Sequence, residues 1–451
     1  MLKYQLIGRK GRFFPKKKAV EYPLIHLHSL PLEILLQIFY HFKDDRQTLL
    51  NISLICKKFN NIVNKYILYS SIVFKNPKKF YQFASSHLLH DVSNKINYLH
   101  NIEFINPQIK ESANTKSKIA GTYNVESKIR SIDQLNYSEF ILSLSNLFIN
   151  GFALQSVMFT EISPDFGFPL EYKPTSGNIF KRKIVKSKNR SLQKLVLKTQ
   201  SGWSIPFKNC HLSLIEEHFE VVEELHLVNF IIDNPITLKN LRVNKIVFDS
   251  CLYSFKKGVK KEIVMFNNVQ EIELKKITNS TELSLIDLVK LNNKNFHHLT
   301  IDIGSMIFYN NQEFLFSRYN PFFELLCSGI GGYAKLDTLT LTDFDLFDYL
   351  RHEVVHQDVD SWVEPPTDNF ETFMEYISQI ATLEIVLKKS SVKVKTCLNC
   401  GFKEQRSDRN VESLTYDEWK IFLKPLNINN KNTMRILSYD HKLLYKNSVY
   451  S

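Results

Sequence analysis

The sequence predicts an α/β protein, in which a small all-α module of three short helices precedes a long, irregular array of strand–helix units. Two patterns support this prediction. Residues 29–69 carry apolar side chains at helical spacing in three short stretches. From residue 69 onward, the pattern apolar-x-x-apolar-x-apolar returns at intervals. A chain of 451 residues has room for the module and one or two further domains.

The helices of the module follow from apolar spacing and from helix-start signals. The first is expected to begin at Pro31, because proline lacks the N–H that has no partner at the first helical position. Asp44 and Asp45 can cap the second. The apolar side chains of the three helices are, in order, Ile34, Leu35, Ile38, Phe39 and Phe42; Leu49, Leu50 and Leu54; and Ile55, Phe59, Ile62 and Val63. A unit of ~40 residues rarely folds without a disulfide, metal or partner, so we interpret it as a docking module.

The motif Leu30-Pro31-x-Glu33-Ile34-Leu35, followed by Ile38-Phe39 and Leu54-Ile55-Cys56-Lys57-x-Phe59, resembles the F-box. In that family the segment binds the Skp-type adaptor of cullin-based ubiquitin ligases. Here Ile and Phe replace the family's usual Val and Trp near its end, which are changes that a core tolerates. The resemblance implies adaptor contacts by Leu30, Pro31, Ile34, Leu35, Ile38, Phe39, Leu50, Leu54, Ile55, Cys56 and Phe59. The alternative is a three-helix cap that packs only against the rest of the chain.

The body of the chain repeats an apolar triple. Its occurrences are Tyr69/Ile72/Phe74, Leu99/Ile102/Phe104, Leu154/Val157/Phe159, Leu192/Leu195/Leu197, Val222/Leu225/Leu227, Val243/Ile246/Phe248, Val269/Ile272/Leu274, Phe296/Leu299/Ile301, Leu336/Leu339/Leu341 and Ile380/Leu383/Ile385. From 192 to 296 the triples start 30, 21, 26 and 27 residues apart. Leucine-rich repeats have a period of ~20–29 residues.

We therefore expect an irregular leucine-rich-repeat-like solenoid over 69–390, with insertions near 108–133 and 161–190. A strand–helix unit cannot bury its apolar face alone, so neighbouring units must stack. Many F-box proteins carry such repeats, and the resemblance agrees. The ninth repeat position, usually Asn or Cys, is matched by Cys251 and by little else. An unrelated α/β domain remains the alternative.

Further helices are predicted between the strands and near the end of the chain. Asp368 and Glu371 form a capping-box signal, as do Thr415 and Glu418, and Asn320-Pro321 opens another helix. The apolar stripe Leu212, Ile215 and Phe219 marks a further helix. Residues 391–451 lack a clear repeat and are expected to form a C-terminal cap or tail.

The net charge of +12 is concentrated in two short runs, residues 1–20 and 181–190, which contain no acid. Residues 1–27 are predicted to be a basic flexible tail. Each run suits a nuclear-import signal, a phosphate-contacting arm or a solvated segment. Since the remainder is near neutral, nucleic-acid binding is not expected.

A soluble protein of the cytoplasm, the nucleus or both is expected. The six Cys have no regular spacing and indicate a reducing compartment. The N-terminus lacks the apolar core of a secretion signal. The uncharged stretch Phe140–Thr160 divides into a helix pattern and a strand pattern, so we expect no membrane span.

Two motifs suggest metal binding, but neither is complete. His352, Glu353 and His356 match H-E-x-x-H, in which two His bind zinc and the Glu polarises a water. No G-x-x-H continuation follows, so a solvated helix surface is the preferred interpretation. Cys397 and Cys400 resemble half of a zinc knuckle without a second pair. We predict no catalytic residue, no metal and no cofactor.

Together these features predict a non-catalytic substrate-recognition subunit of a Skp–cullin–F-box ubiquitin ligase. Its partners would be the adaptor, the cullin that the adaptor brings and an unidentified protein substrate. The alternatives are a non-ligase F-box scaffold or chromatin-associated assembly subunit and, remotely, a zinc metalloprotease. The Lys, Asn, Ile and Phe content is compatible with an AT-rich genome and thus with a fungal member of the family.

Overall fold

The computed structural model describes residues 27–88, 97–107, 137–151, 153–164, 166–168, 190–200, 205–233, 240–253, 269–276, 297–302, 337–344, 381–387, 414–423 and 433–447. The chain divides into two compact units after Leu68. The basic tail, most of the two predicted insertions and the predicted helices near 320 and 370 lie outside the described residues.

Three α-helices build the described part of the first unit, residues 27–68, as the spacing of apolar residues predicts. They are α1, Leu32–Tyr40; α2, Arg46–Ser53; and α3, Lys57–Val63. A 3-10 turn at Leu27–Ser29 precedes them, and a π-helical turn at Asn64–Leu68 follows. Pro31 is the N-cap of α1 rather than its first residue. Because α1 ends at Tyr40, Phe42 falls in the following turn, where it is 39% exposed, and its predicted place on the apolar face of α1 is wrong.

Side-chain caps fix where α2 and α3 begin. The backbone N–H of Thr48 donates to Asp45 Oδ1 at 3.0 Å, and the Thr48 hydroxyl donates to Oδ2 at 2.6 Å. These hydrogen bonds lower the pKa of Asp45 and confirm it as the cap of α2. Cys56 caps α3, since its Sγ accepts from the backbone N–H of Phe59 at 3.5 Å.

The first unit has its own small core. Its fully buried apolar side chains are Leu35, Phe39, Leu49, Phe59, Ile62 and Val63. At the centre, the rings of Phe39 and Phe59 meet edge to face with centroids 5.1 Å apart. Aromatic pairs in this geometry stabilise a core beyond the area they bury.

A large, mostly parallel sheet organises the second unit. Its strands are β1, Ser71–Phe74; β2, Asn101–Ile105; β3, Ser156–Ile162; β4, Ser191–Thr199; β6, Val221–Val228; β8, Arg242–Asp249; β10, Glu271–Lys275; β11, His298–Asp302; β12, Thr338–Phe344; β13, Thr382–Leu387; β14, Thr433–Leu437; and β15, Leu443–Lys446. Their order in the sheet is their order in the chain. Neighbours pair in parallel except β15, which is antiparallel to β14.

The repeated triples occupy equivalent positions in this sheet. The second residue of each triple pairs with its counterpart on the next strand, and so does the third. The two buried rows run from Ile72, which is only partly buried, to Leu383 and from Phe74 to Ile385, and β14 extends them with Met434 and Ile436. The strand positions predicted from the triples are therefore confirmed. β14 and β15, the two strands in the described part of 391–451, were not predicted from the sequence.

A left-handed backbone conformation recurs at or near the end of six of the twelve described strands of this sheet. Two residues after the second buried row, the backbone adopts a left-handed conformation with φ between 45° and 62°, at Asn106, Glu161, Asn229, Ser250, Lys276 and Asp343. The backbone N–H of Asn229 donates to Asp249 O on the next strand at 2.9 Å, and that of Ser250 donates to Lys275 O at 3.0 Å. The repetition thus extends from the buried rows to the backbone of the turns.

Shorter elements lie between the sheet strands. Three two- or three-residue strands, β5 (Ile205–Pro206), β7 (Phe230–Ile232) and β9 (Leu252–Tyr253), form a second parallel sheet. The described helices of this unit are α4, Pro77–Leu88; α5, Tyr137–Asn150; α6, Ser213–His218; and α7, Tyr416–Phe422. α5 and β3 divide the stretch 140–160 as predicted. No described helix is long and apolar enough to cross a membrane.

A buried histidine joins the segment after β3 to the segment before α6. His211 is 1% exposed, its Nδ1 accepts from the backbone N–H of Lys208 at 2.9 Å, and its ring stacks on Phe207 and, in the segment after β3, on Phe166. The backbone N–H of Phe168 donates to Cys210 O at 2.6 Å. Residues 166–168 thus pack into the fold, although an insertion was predicted from 161.

Candidate protein-interaction sites

Part of the predicted adaptor-contact set is exposed on the first unit. Leu54 is 80% exposed, Ile55 67%, Ile34 40% and Leu50 38%. Leu54 and Ile55 occupy the short connection between α2 and α3. Large apolar side chains that are exposed side by side are typical of an interaction surface. These two residues are the centre of the first candidate site.

Other members of the predicted set belong to the core of the unit instead. Leu35 is fully buried, Phe39 is 1% exposed and Phe59 is 3% exposed. Side chains with so little surface support the fold, and a partner can touch them only slightly. Leu30, Ile38 and Cys56 are intermediate, because they are partly buried against this core, and Pro31 is exposed at the N-cap of α1. Adaptor contact stays a prediction for the whole set.

Two exposed apolar residues of this unit were missed by the sequence analysis. Tyr40 is 56% exposed at the end of α1, and Leu27 is 46% exposed in the 3-10 turn. The apolar stripe of α1 passes through Phe39, so helical spacing placed Tyr40 off that stripe. Leu27 precedes the first helix-start signal and had no pattern to identify it.

The second candidate site is the face of the large sheet opposite the two buried rows. Since side chains alternate along a strand, each strand presents its remaining residues on this open face. One row there runs through Lys194, Glu224, Lys245, Glu271 and His298, and the next runs through Val196, His226, Val247, Glu273 and Thr300. Most of these positions are polar or charged and lie in register, but Val196 and Val247 are apolar and only 6% and 1% exposed.

Opposite charges pair across the middle of the open face. Lys245 Nζ lies 2.6 Å from Glu271 Oε1 and 3.0 Å from Glu273 Oε2, and Lys275 Nζ lies 2.7 Å from Glu273 Oε1. Lys194 Nζ approaches Glu224 Oε2 at 3.7 Å. We call these six residues the charged ladder; its three lysines and three glutamates largely neutralise one another.

The ladder shifts the pKa values of its members. Burial alone would lower the pKa of Lys245, but hydrogen bonds to Glu271 and Glu273 outweigh burial and raise it. Burial alone would raise the pKa of Glu273, and hydrogen bonds from Lys275 and Lys245 lower it instead. Both groups are therefore held in their charged forms at neutral pH.

Toward β14 the open face changes character. The paired positions of β11 to β13 include Thr300, Thr338, Thr340 and Thr382, all partly exposed. Threonine offers a hydroxyl that both donates and accepts, beside a methyl group. The face thus combines a charged ladder with a hydroxyl-rich region.

The two possible metal-binding motifs of the sequence lie outside the residues that the structure describes. His352, Glu353 and His356, and likewise Cys397 and Cys400, are not among the described residues. Within the described part of the chain, no group of three or more His, Cys, Asp or Glu side chains could hold a metal ion. The acidic side chains of the ladder are engaged with neighbouring cations or with a histidine.

Comparison with known proteins agrees with the first candidate site. A family model described as F-box-like matches residues 27–75, which include all three helices of the first unit and β1. The chain therefore carries an F-box-like domain, a class of domain that in general binds a Skp-type adaptor. Among the curated proteins searched, none matches this chain.

Proposed function

We propose that this protein is the substrate-recognition subunit of a Skp–cullin–F-box ubiquitin ligase of the cytoplasm, the nucleus or both. Its F-box-like domain would bind the adaptor and through it the cullin. Its second unit would bind a protein substrate. It would perform no covalent chemistry, and its contribution would be to hold the substrate near the ubiquitin-charged enzyme, which raises the effective concentration of the reacting groups.

The observation that carries this proposal is the exposure of Leu54 and Ile55 within the F-box-like domain. Covering a Leu or Ile side chain stabilises a complex by roughly 1.5–3 kcal/mol. Two such residues side by side can therefore supply much of the energy of a micromolar interface, which is about 8 kcal/mol in total. Interfaces usually depend on a few such dominant residues.

For the second unit we propose a divergent leucine-rich-repeat solenoid. The support is the repetition itself, since buried rows, strand order and left-handed turns recur from β2 to β12. In such an array each repeat adds one strand to a continuous surface. The open face, with its charged ladder and its threonines, would then be the surface that selects the substrate.

Affinity purification with mass spectrometry tests the proposed function. The full chain is compared with a Leu54→Glu/Ile55→Glu variant and with a control, Leu443→Glu, at a site in β15 that is 53% exposed. We expect the wild type and the control to retain adaptor and cullin and the double variant to lose both, because two carboxylates cannot be desolvated at an apolar interface. Adaptor without cullin would favour a non-ligase scaffold. Wild-type protein that retains neither would refute the proposal.

A further inference from the structure

Lys58 occupies an electrostatically unfavourable position in the F-box-like domain. It is the second residue of α3, and the helix dipole places partial positive charge at this end, so a cation here is unfavourable. The first turn of α3 contains no acidic residue that could offset it. A favourable interaction elsewhere would offset this cost.

The side chain of Lys58 finds that interaction on the segment before α1. Its ammonium group donates to the carbonyl oxygen of His28 at 2.8 Å and to that of Leu30 at 3.0 Å. These oxygens belong to the 3-10 turn and to the residue that follows it. Hydrogen bonds with an ionised donor are about twice as strong as neutral ones. Lys58 thus connects the N-terminus of α3 to residues that precede it by 28–30 positions.

We infer that Lys58 is a positioning residue that holds segment 27–31 in place for adaptor binding. This segment contains Leu30 and Pro31, the first two residues of the predicted contact set. The Leu30 side chain is partly buried against the core of the unit, and its N–H donates to Leu27 O at 3.3 Å. Anchoring the carbonyl of Leu30 from α3 fixes the direction in which the chain enters α1 and so orients the exposed ring of Pro31.

This role rests on the proposed function, because it assigns Lys58 a part in adaptor binding. The local effect is nevertheless measurable without the adaptor. If Lys58 anchors the segment, the amides of residues 27–30 should exchange their hydrogens more slowly than in a protein without the anchor. A residue that only touches the adaptor would leave that exchange unchanged.

The test uses the full chain with Lys58→Gln, Lys58→Arg and, as a matched control, Lys57→Gln, which removes the same charge from the adjacent exposed position. We expect Lys58→Gln to accelerate amide exchange in 27–30 and to weaken binding of a recombinant Skp-type adaptor, each by about three- to tenfold. Lys58→Arg retains a cationic donor and should preserve both properties. Lys57→Gln should leave the exchange unchanged.

Several results would overturn the inference. Unchanged exchange in Lys58→Gln would exclude an anchoring role, even if the affinity fell, because Lys58 would then act by touching the adaptor directly. Equal acceleration in Lys57→Gln would assign the effect to net charge. If the wild-type chain does not bind the adaptor while Lys58→Gln still accelerates exchange, the proposed function fails and the anchor itself stands.

Discussion

Truncating Phe59 should unfold the first unit, whereas truncating Leu54 should weaken adaptor binding and leave the unit folded, although the family motif contains both positions. Phe59 is 3% exposed and contacts Phe39 edge to face, whereas Leu54 is 80% exposed. Phe→Ala in a core costs about 3–5 kcal/mol. A unit of roughly 40 residues has a stability of about 2–6 kcal/mol at the usual 0.05–0.15 kcal/mol per residue. Phe59→Ala should therefore unfold much of the first unit.

Leu54→Ala should leave that unit folded and weaken adaptor binding. An exposed side chain outside the core usually changes stability by no more than about 0.5 kcal/mol. If the adaptor covers Leu54, losing the contact costs about 2 kcal/mol, which corresponds to a roughly thirtyfold weaker complex. The two variants thus separate folding from contact.

Hydrogen-exchange mass spectrometry of the full chain, followed by adaptor titration, measures both effects. Phe59→Ala should lose protection across α1 to α3 while β4, β6 and β8 keep theirs, because the two units have separate cores. Leu54→Ala should keep protection in both units and lose affinity. Equal protection in both variants would refute the assignment of Phe59 to the core. Full affinity in Leu54→Ala would refute Leu54 as a contact.

Two further predictions concern the second unit. Burial lowers the pKa of His211 to about 4, and burial together with Arg190 does the same for His218. The unfolded chain binds these protons near pH 6.5, and the folded chain does not. The free energy of unfolding is therefore highest above pH 6.5, and each histidine lowers it by about 3 kcal/mol as the pH falls to 4. Urea unfolding at several pH values should show this loss of stability. The variant His211→Asn has no protonatable side chain at this position and should remove about half of the loss. If the pH dependence of stability were the same in the variant as in the wild type, the prediction would be contradicted. Lys245→Met should destabilise this unit by about 1 kcal/mol at low salt and by less in high salt. The substitution leaves Glu271 without its partner and Glu273 with Lys275 alone. If the stability difference between variant and wild type did not depend on salt, the proposed charge pairing would be contradicted.

The strands of the body were predictable because their signal is local. A buried position on every second residue is visible in Leu225 and Leu227 or in Ile272 and Leu274 without knowledge of the fold. Because the buried residues of neighbouring strands pair with each other in the same register, these strands form one continuous sheet. The strands of the second sheet contain only two or three residues, too few to show a period. β14 was missed because Lys431 stands three residues before Met434, where the triple requires an apolar residue.

The division of the F-box-like residues into core and surface was not predictable from spacing. Helical periodicity places Ile34, Leu35 and Phe39 on one broad face, but it cannot say which of them points into the core when all are apolar. The structure separates them through the packing of α1 on α3, which buries Phe39 against Phe59 and leaves Ile34 exposed. Leu54 and Ile55 lie between α2 and α3 and are exposed, so the places that helical spacing gave them on the apolar faces of the second and third helices are wrong.

The two proposed binding surfaces should respond differently to mutation, because the fold builds them differently. The F-box-like domain places its two most exposed apolar side chains, Leu54 and Ile55, in one short connection, so single changes there should remove a large share of the adaptor affinity. The open face instead receives one or two side chains from each strand in register, and its charges already pair within the sheet. A substrate on that face would gain little from any single charged residue, since each one must first leave its partner. Substrate selection would then depend on many weak contacts along the sheet and adaptor binding on a few strong ones.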